Sequence, residues 1–171
     1  MLLYQKLQSR LPEYSVEFVT IDNLCKYESL FYSNTEYYLI TDGRPATKQD
    51  CIETVEFGSD YPKDMCYCIG ISSGNKAVAL ISFFEGYPEV DTLYIGLFLM
   101  NEQFKRKSIG TKIMASLIDE AFISNYARIK LSVQDNNISG FSFWKKLGFE
   151  ITEKCECGGF YNLSMELKRG A

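Results

Sequence analysis

Met100-Asn-Glu-Gln-Phe-Lys105-Arg106-Lys107-Ser108-Ile109-Gly110-Thr111 joins a run of apolar residues to a run of helical period. Before it, Thr92–Met100 is almost continuously apolar, which predicts a strand covered on both faces. After it, Ile109, Ile113, Leu117, Ile118, Ala121 and Phe122 recur at helical spacing, which predicts a helix over about 109–124. Three cations, Lys105, Arg106 and Lys107, stand just before that helix, and the small residues Ser108, Gly110 and Thr111 occupy its start. A helix N-terminus offers unpaired N–H groups and the positive end of the dipole. Small residues let an anion reach those groups. The junction therefore reads either as a phosphate site or as a loop carrying a solvated charge run.

Outward from the junction, the chain alternates strands and helices. Residues 14–21 alternate and are rich in β-formers, a first strand. Asp22 is placed to cap a helix through Tyr27, Leu30 and Phe31. A loop follows at 41–45, and Thr47 with Asp50 forms a capping box for a helix ending near Phe57. Residues 58–64 read as a loop closed by Tyr61-Pro62. Strands are predicted over 65–71 and 77–84, with a turn at 72–75 and a break at Gly86-Tyr87-Pro88. Beyond the long helix come a strand over 127–133, a helix over 138–147 stopped by Gly148, and a hairpin of 150–155 and 161–167 across Gly158-Gly159. No repeat, low-complexity tract or linker interrupts this order. Residues 1–171 are predicted to form one mixed α/β domain around one sheet.

Composition removes several function classes. The chain is 46% hydrophobic and 15% aromatic, enough to bury a core, so disorder is not expected. Its 22 acidic and 18 basic residues leave a net charge of -4, which argues against nucleic acid as the main partner. It is compatible with a cationic small molecule. The longest apolar stretches, 77–84 and 93–100, fall far short of the roughly 20 residues that cross a bilayer. Residues 1–10 lack the apolar core of an export signal, so a cytoplasmic location is the expectation. The six cysteines then read as free thiols. Cys66-Tyr67-Cys68 and Cys155-Glu156-Cys157 invite a zinc reading, but C-x-C is not the usual spacing, and no metal is expected. With no histidine in the chain, proton transfer falls to carboxylate, tyrosine, thiol, amine or water.

The junction resembles the pyrophosphate-binding loop of the GNAT superfamily of N-acetyltransferases, written Q/R-x-x-G-x-G/A. Here it stands as Lys105-Arg106-Lys107-Ser108-Ile109-Gly110, with Lys105 for Gln or Arg and Ser108 for the first glycine. The stretch from Leu131 through Val133, Asn137, Gly140, Trp144, Lys146 and Gly148 to Phe149 resembles the same family's L-x-V-x-x-x-N-x-x-A-x-x-x-Y-x-K-x-G-F pattern. Tyr94-Ile95-Gly96-Leu97-Phe98-Leu99-Met100 looks like its central strand. The resemblance covers about 77–151, the expected acyl-CoA-binding core, and is vague before Met65 and after Lys154.

That resemblance implies a mixed, largely antiparallel central sheet flanked by helices. It implies acetyl-CoA as cosubstrate, an amine of a small molecule or protein as acceptor, and direct attack in a ternary complex. Phe98, Leu99 and Met100 would pair with the pantetheine arm as an added strand. Arg106, Lys107, Ser108, Ile109, Gly110 and Thr111 would hold the pyrophosphate, with Lys105 and Lys107 adding charge. Asn137 would bond the pantetheine or thioester region, where its plain alternative is an N-cap. Trp144 departs from the family's tyrosine, and an indole N–H is no usable acid. Either Trp144 packs against the cofactor and the thiolate leaves unaided, or another hydroxyl serves, with Tyr94, Tyr126 and Tyr161 as the candidates. Glu85, with Glu89 and Asp91 nearby, is the first choice for a base. Phe31, Tyr32, Tyr37 and Tyr38 would wall an acceptor pocket or fill the core. A homodimer fits the resemblance. The rival to an enzyme is a CoA-binding sensor or interaction protein without turnover. A nucleotide-binding reading fails because neither G-x-x-x-x-G-K-S/T nor G-x-G-x-x-G occurs.

Overall fold

The computed structural model describes residues 3–57 and 63–170. It opens with a helix the sequence reading did not include, α1 (Leu3–Arg10). Leu3, Leu7 and Leu11 recur at four-residue spacing and are buried. Arg10 is ion-paired to Glu120 across the helix pair it forms. Strand β1 (Ser15–Phe18) follows. The helix expected from Asp22 begins later, as a 3-10 turn at Leu24–Lys26 and then α2 (Glu28–Ser33) and α3 (Thr35–Thr41). Asn23, not Asp22, ties the chain there: it accepts from the Thr20 N–H and donates to the Phe18 carbonyl, each at 2.8 Å. α4 (Lys48–Glu56) starts on the Thr47–Asp50 capping box, as the sequence predicts. Of the loop expected over 58–64, residues 58–62, including Tyr61-Pro62, lie outside the described residues, and Lys63–Met65 form a 3-10 turn.

Six strands and two helices complete the fold: β2 (Cys66–Ser73), β3 (Lys76–Glu85), β4 (Thr92–Met100), α5 (Ile109–Ile123), β5 (Arg128–Gln134), α6 (Ile138–Lys146), β6 (Glu150–Cys157) and β7 (Phe160–Lys168). The sheet order is β1-β2-β3-β4-β5-β7-β6. Every pairing is antiparallel except β4 with β5, which α5 joins as a crossover. This is the mixed, largely antiparallel sheet flanked by helices that the resemblance implied.

The two faces differ in cover. On one, α1, α5 and α6 bury Ile81, Phe83, Leu93 and Ile95 under Ile113, Leu117 and Phe149. On the other, Tyr27, Phe31, Tyr38 and Cys51 from the α2–α4 region pack on Cys68, Leu80 and Leu99. Phe31 and Tyr38 are thus core residues, while Tyr32 is exposed. The β5–β7–β6 part of this second face carries no helix among the described residues, and all of β6 is exposed. Cys66 and Cys68 lie on β2, five strand steps from Cys155 and Cys157 on β6. At about 4.8 Å a step that is roughly 24 Å, so the two C-x-C pairs share no ion. Among the described residues, no helix is long and apolar enough to cross a membrane.

Candidate active site

The sheet opens in its middle. β4 pairs with β5 from Thr92↔Arg128 to Ile95↔Leu131, and there the pairing stops. Beyond it β4 follows β3 as far as Met100, and β5 follows β7 as far as Gln134. A bulge marks the parting point: Ser82 faces Leu97 and Phe83 faces Ile95, so Gly96 has no partner. A bulge bends its strand and sharpens the twist. Only glycine fits, because a Cβ here would lie 2.9 Å from the Phe84 ring and 3.1 Å from Ser82 Oγ.

The opening corrects the expectation that β4 is covered on both faces. Its ends are buried, but Gly96 is exposed and Leu97 and Phe98 are half-buried. The ladder also orients its free edge. The Asn101 N–H bonds the Val78 carbonyl at 2.9 Å. Alternation in an antiparallel pair then turns the N–H and C=O of Met100 and Phe98 away from β3, toward the gap.

The head of α5 stands over the wide end of that gap. Arg106 and Ser108 both have positive φ, 58° and 59°, which curls the loop just ahead of the helix. The first intrahelical bond from this loop runs from the Lys112 N–H to the Ser108 carbonyl, so the amides of Ile109, Gly110 and Thr111 are left for another acceptor. Ser108 does not cap them with its side chain. Gly110 seats the helix on β4: a Cβ would lie 2.4 Å from Met100 Sδ and 3.6 Å from the Phe98 ring.

At the narrow end, a cleft of about 250 Å³ opens on the helix-free face. Leu131 and Tyr94 bring it to the point where β4 and β5 part. Phe84, Tyr87 and Tyr94 form one wall, their ring centroids 5.6–6.1 Å apart. Lys130 and Glu153 stand on the other. Lys130 is held by Glu89 at 3.1 Å and Glu166 at 3.9 Å. Its ammonium keeps the Glu89 carboxyl below the usual carboxylate range.

A family model, Acetyltransferase (GNAT) family, matches residues 27–149, well over half of the chain. This chain belongs to the GNAT acetyltransferase family. Solved structures share the fold. An acetyltransferase from Thermus thermophilus superposes with a TM-score of 0.73 at 17% identity, covering 91% of this chain and 97% of its own. The PaiA N-acetyltransferase of Thermoplasma acidophilum, solved in complex with coenzyme A, gives 0.66 at 12% identity, over 91% and 99%. An Arabidopsis thaliana protein in complex with the bisubstrate analogue CoA-Ac-MVNAL gives 0.63 at 18% identity, over 92% and 99%. No curated protein matches this chain.

Against this GNAT frame, the residues singled out in the sequence fall into three groups. Phe98 and Met100 turn backbone groups to the gap and the loop from Lys105 to Thr111 stands at its wide end, whereas Leu99 pairs with Leu80 on β3 and is buried in the core, so it does not face the gap. Asn137 caps α6, its Oδ1 accepting from the Gly140 N–H at 2.9 Å. Trp144 is buried with Phe98, Phe143 and Phe149, its ring 6.2, 5.0 and 5.4 Å from theirs, so it packs beside the gap.

The acid and base candidates separate. Tyr94 lines the cleft. Tyr161 is exposed, with Lys154 Nζ 3.8 Å above its ring. Glu85 shares the α1–α5 face with Leu93, opposite the cleft, and is joined to Tyr126. Burial raises the pKa of both partners. Glu85 follows Ile81 and Phe83 by simple alternation, but β3 is buried on both faces from Ala77 to Phe83, so the sequence gives no sign of which face carries the cleft.

Two residues went unnoticed in the sequence. Gln134 Oε1, at the free end of β5, is buried without a hydrogen-bond partner among the described residues. Asn34 is buried between α2 and α3 and reaches the end of β4. Neither belongs to a motif, and Asn34 meets partners distant in sequence, so no local signal marks them.

Proposed function

We propose that this chain transfers an acetyl group from acetyl-CoA to an amine by direct attack in a ternary complex. The observation that carries this reading is the gap between β4 and β5, with the free head of α5 at its wide end and the cleft at its narrow end. An extended arm bearing amides can add to the β4 edge through the N–H and C=O of Phe98 and the N–H of Met100, whose carbonyl is taken by Asn34. The orphaned Gln134 Oε1 fits such an arm, because it lacks a donor where an amide N–H would pass. The diphosphate then meets the amides of Ile109, Gly110 and Thr111, with Arg106 and Lys107 exposed beside them.

This arrangement delivers the thioester to the parting of β4 and β5, where the cleft begins. The acceptor enters from the cleft as a neutral amine. Its nitrogen attacks the thioester carbon, the C–S bond breaks, the sulfur leaves as thiolate, and the amine nitrogen gives up one proton. Backbone N–H groups of β4 beside the bulge stabilise the developing oxyanion. Tyr94 supplies a proton to the thiolate. The carboxylates beside the cleft are Glu153, on its wall, and Glu89, bound to Lys130; Glu153 takes the amine proton directly or through water.

A second reading rests on Trp144 and Glu85. With an indole in the family's tyrosine position and Glu85 turned to the opposite face, the same gap serves a CoA-binding sensor without turnover. Calorimetric titration with acetyl-CoA and a thiol-release assay over a panel of amines distinguish the two. Uptake with thiol release for at least one amine is expected. Uptake without release for any amine supports the sensor, and no uptake overturns both.

A further inference from the structure

Asn34 is among the few buried polar residues, 6% exposed, and it uses both ends of its amide. Its Nδ2 donates to the Leu30 carbonyl at 2.7 Å and to the Met100 carbonyl at 2.9 Å. Its Oδ1 accepts from Lys105 Nζ at 2.7 Å, and Lys105 is also ion-paired to Glu102. Met100 ends the strand edge that lines the gap, and Lys105 opens the loop that leads into α5. One side chain therefore clamps the end of the edge and the start of the loop, from a helix junction 66 residues upstream of the first and 71 upstream of the second.

We propose that Asn34 is a positioning residue for diphosphate binding, acting through Lys105 and the Met100 carbonyl. This rests on the reading of the gap as the acetyl-CoA site. The chemistry requires an amide here. A lysine left to solvent samples many rotamers, and ordering its stem on binding costs conformational entropy. Held at Asn34 Oδ1, the ammonium is already at the mouth of the gap when the anion arrives. The amide oxygen adds no second negative charge to that of Glu102, and with one N–H on each of these partners the ammonium keeps a third for phosphate. A carboxylate at position 34 would hold Lys105 more firmly and leave the Leu30 and Met100 carbonyls without donors. The Met100 carbonyl faces a gap with no β5 partner, and the Asn34 Nδ2 fills that vacancy, fixing the end of the edge that the arm must add to.

The test is a double-mutant cycle read by calorimetric titration of acetyl-CoA into the wild type, Asn34→Ala, Lys105→Met and the double variant. Each single variant is expected to weaken binding about tenfold, in line with losing about 1.4 kcal/mol from hydrogen bonds to a charged group. The double variant is expected to lose less than the product of the two, because Asn34 acts partly through Lys105. Asn34→Ala should also flatten the salt dependence of binding, as Lys105→Met does, which a purely structural defect would not do.

Wild-type uptake with Asn34→Ala binding within twofold, or with losses that multiply, overturns the proposal and leaves the acetyl-CoA site standing. If Asn34→Ala does not fold, Lys105→Met decides, since its partly exposed side chain can be truncated without opening the core; unchanged affinity in that variant overturns the proposal. No uptake by the wild type sinks the site itself.

Discussion

Replacing Gly110 by alanine tests whether the seating of α5 on β4 is what grips the anion. The new Cβ would lie 2.4 Å from Met100 Sδ. Non-bonded heavy atoms rest about 3.5–4.0 Å apart, so roughly 1.1–1.6 Å must be found. Met100 is 8% exposed, so its side chain has little free space to turn into. Overpacking of this kind costs about 1–3 kcal/mol, against about 1 kcal/mol gained from alanine over glycine in a helix. The net loss is about 0–2 kcal/mol, a fall in Tm of up to about 8 °C for a chain of this size.

The effect on binding is larger than the effect on stability. A lift of the first turn by about 1 Å takes one or two N–H groups beyond hydrogen-bond reach of a phosphate, at about 1.5–3 kcal/mol each. Acetyl-CoA affinity should therefore fall at least tenfold, measured by calorimetry beside a thermal melt. Met100→Ala in the same chain makes room for the Cβ, so Gly110→Ala should cost less affinity in that background. Gly110→Ala binding within twofold of wild type, or an equal loss with and without Met100, would refute the reasoning.

Three further outcomes follow from particular contacts. Gly70→Ala should destabilise by about 3 kcal/mol or more in urea, because its Cβ falls 2.1–2.6 Å from the fully buried Tyr27 ring, whose hydroxyl bonds Glu17 at 3.0 Å. Asp50→Asn should cost about 1–2 kcal/mol at pH 7, since the Asp50 carboxylate binds the Arg44 guanidinium at 2.7 and 2.8 Å and caps α4. That guanidinium, then Thr47, holds the Asp50 pKa far below its usual value. The wild-type advantage is therefore full above the unfolded value of about 3.9, and it shrinks as pH falls below that toward the folded pKa. Denaturation curves at pH 7, 5 and 3 check this, and a constant difference would contradict it. Tyr94→Phe should lower kcat for thiol release while the acetyl-CoA Kd stays within twofold; equal loss in both would place Tyr94 in binding instead.

What the sequence could show depended on whether a feature is local. The head of α5 was legible because its cations, small residues and helical period are contiguous from Lys105 to Phe122. The strands near it were legible for the same reason, and the capping box at Thr47 and Asp50 spans three residues. Helix α1 was missed because eight residues with polar ones between Leu3 and Leu7 make a weak period. Asn23 outcompeted Asp22 by bonding back to β1, a contact that needs the strand already in place. Glu85 looked like a cleft acid from its place near the end of a strand. Its true facing follows from alternation along β3 with Ile81 and Phe83, but which face carries the cleft is set by strands distant in sequence.

The gap itself is the least local feature, and it accounts for the residues that had no signal. A strand fully paired on both edges has no backbone groups left for a ligand. β4 is paired on both edges only up to Ile95, and past Gly96 its second edge is open. Open polar groups in a half-buried strand are costly unless satisfied, at about 1–3 kcal/mol each. The fold satisfies one of them itself, the Met100 carbonyl, through Asn34. The N–H groups of Phe98 and Met100 and the Phe98 carbonyl face the same gap, and the Gln134 amide oxygen beside it lacks a donor. These are the complements of an amide-bearing arm, so in the proposed reading the unfinished pairing of β4 is what receives the cosubstrate. The two glycines act on that pairing from opposite ends: Gly96 lets the strands part, and Gly110 seats the helix head against the far end of the gap, beside Met100 and Phe98.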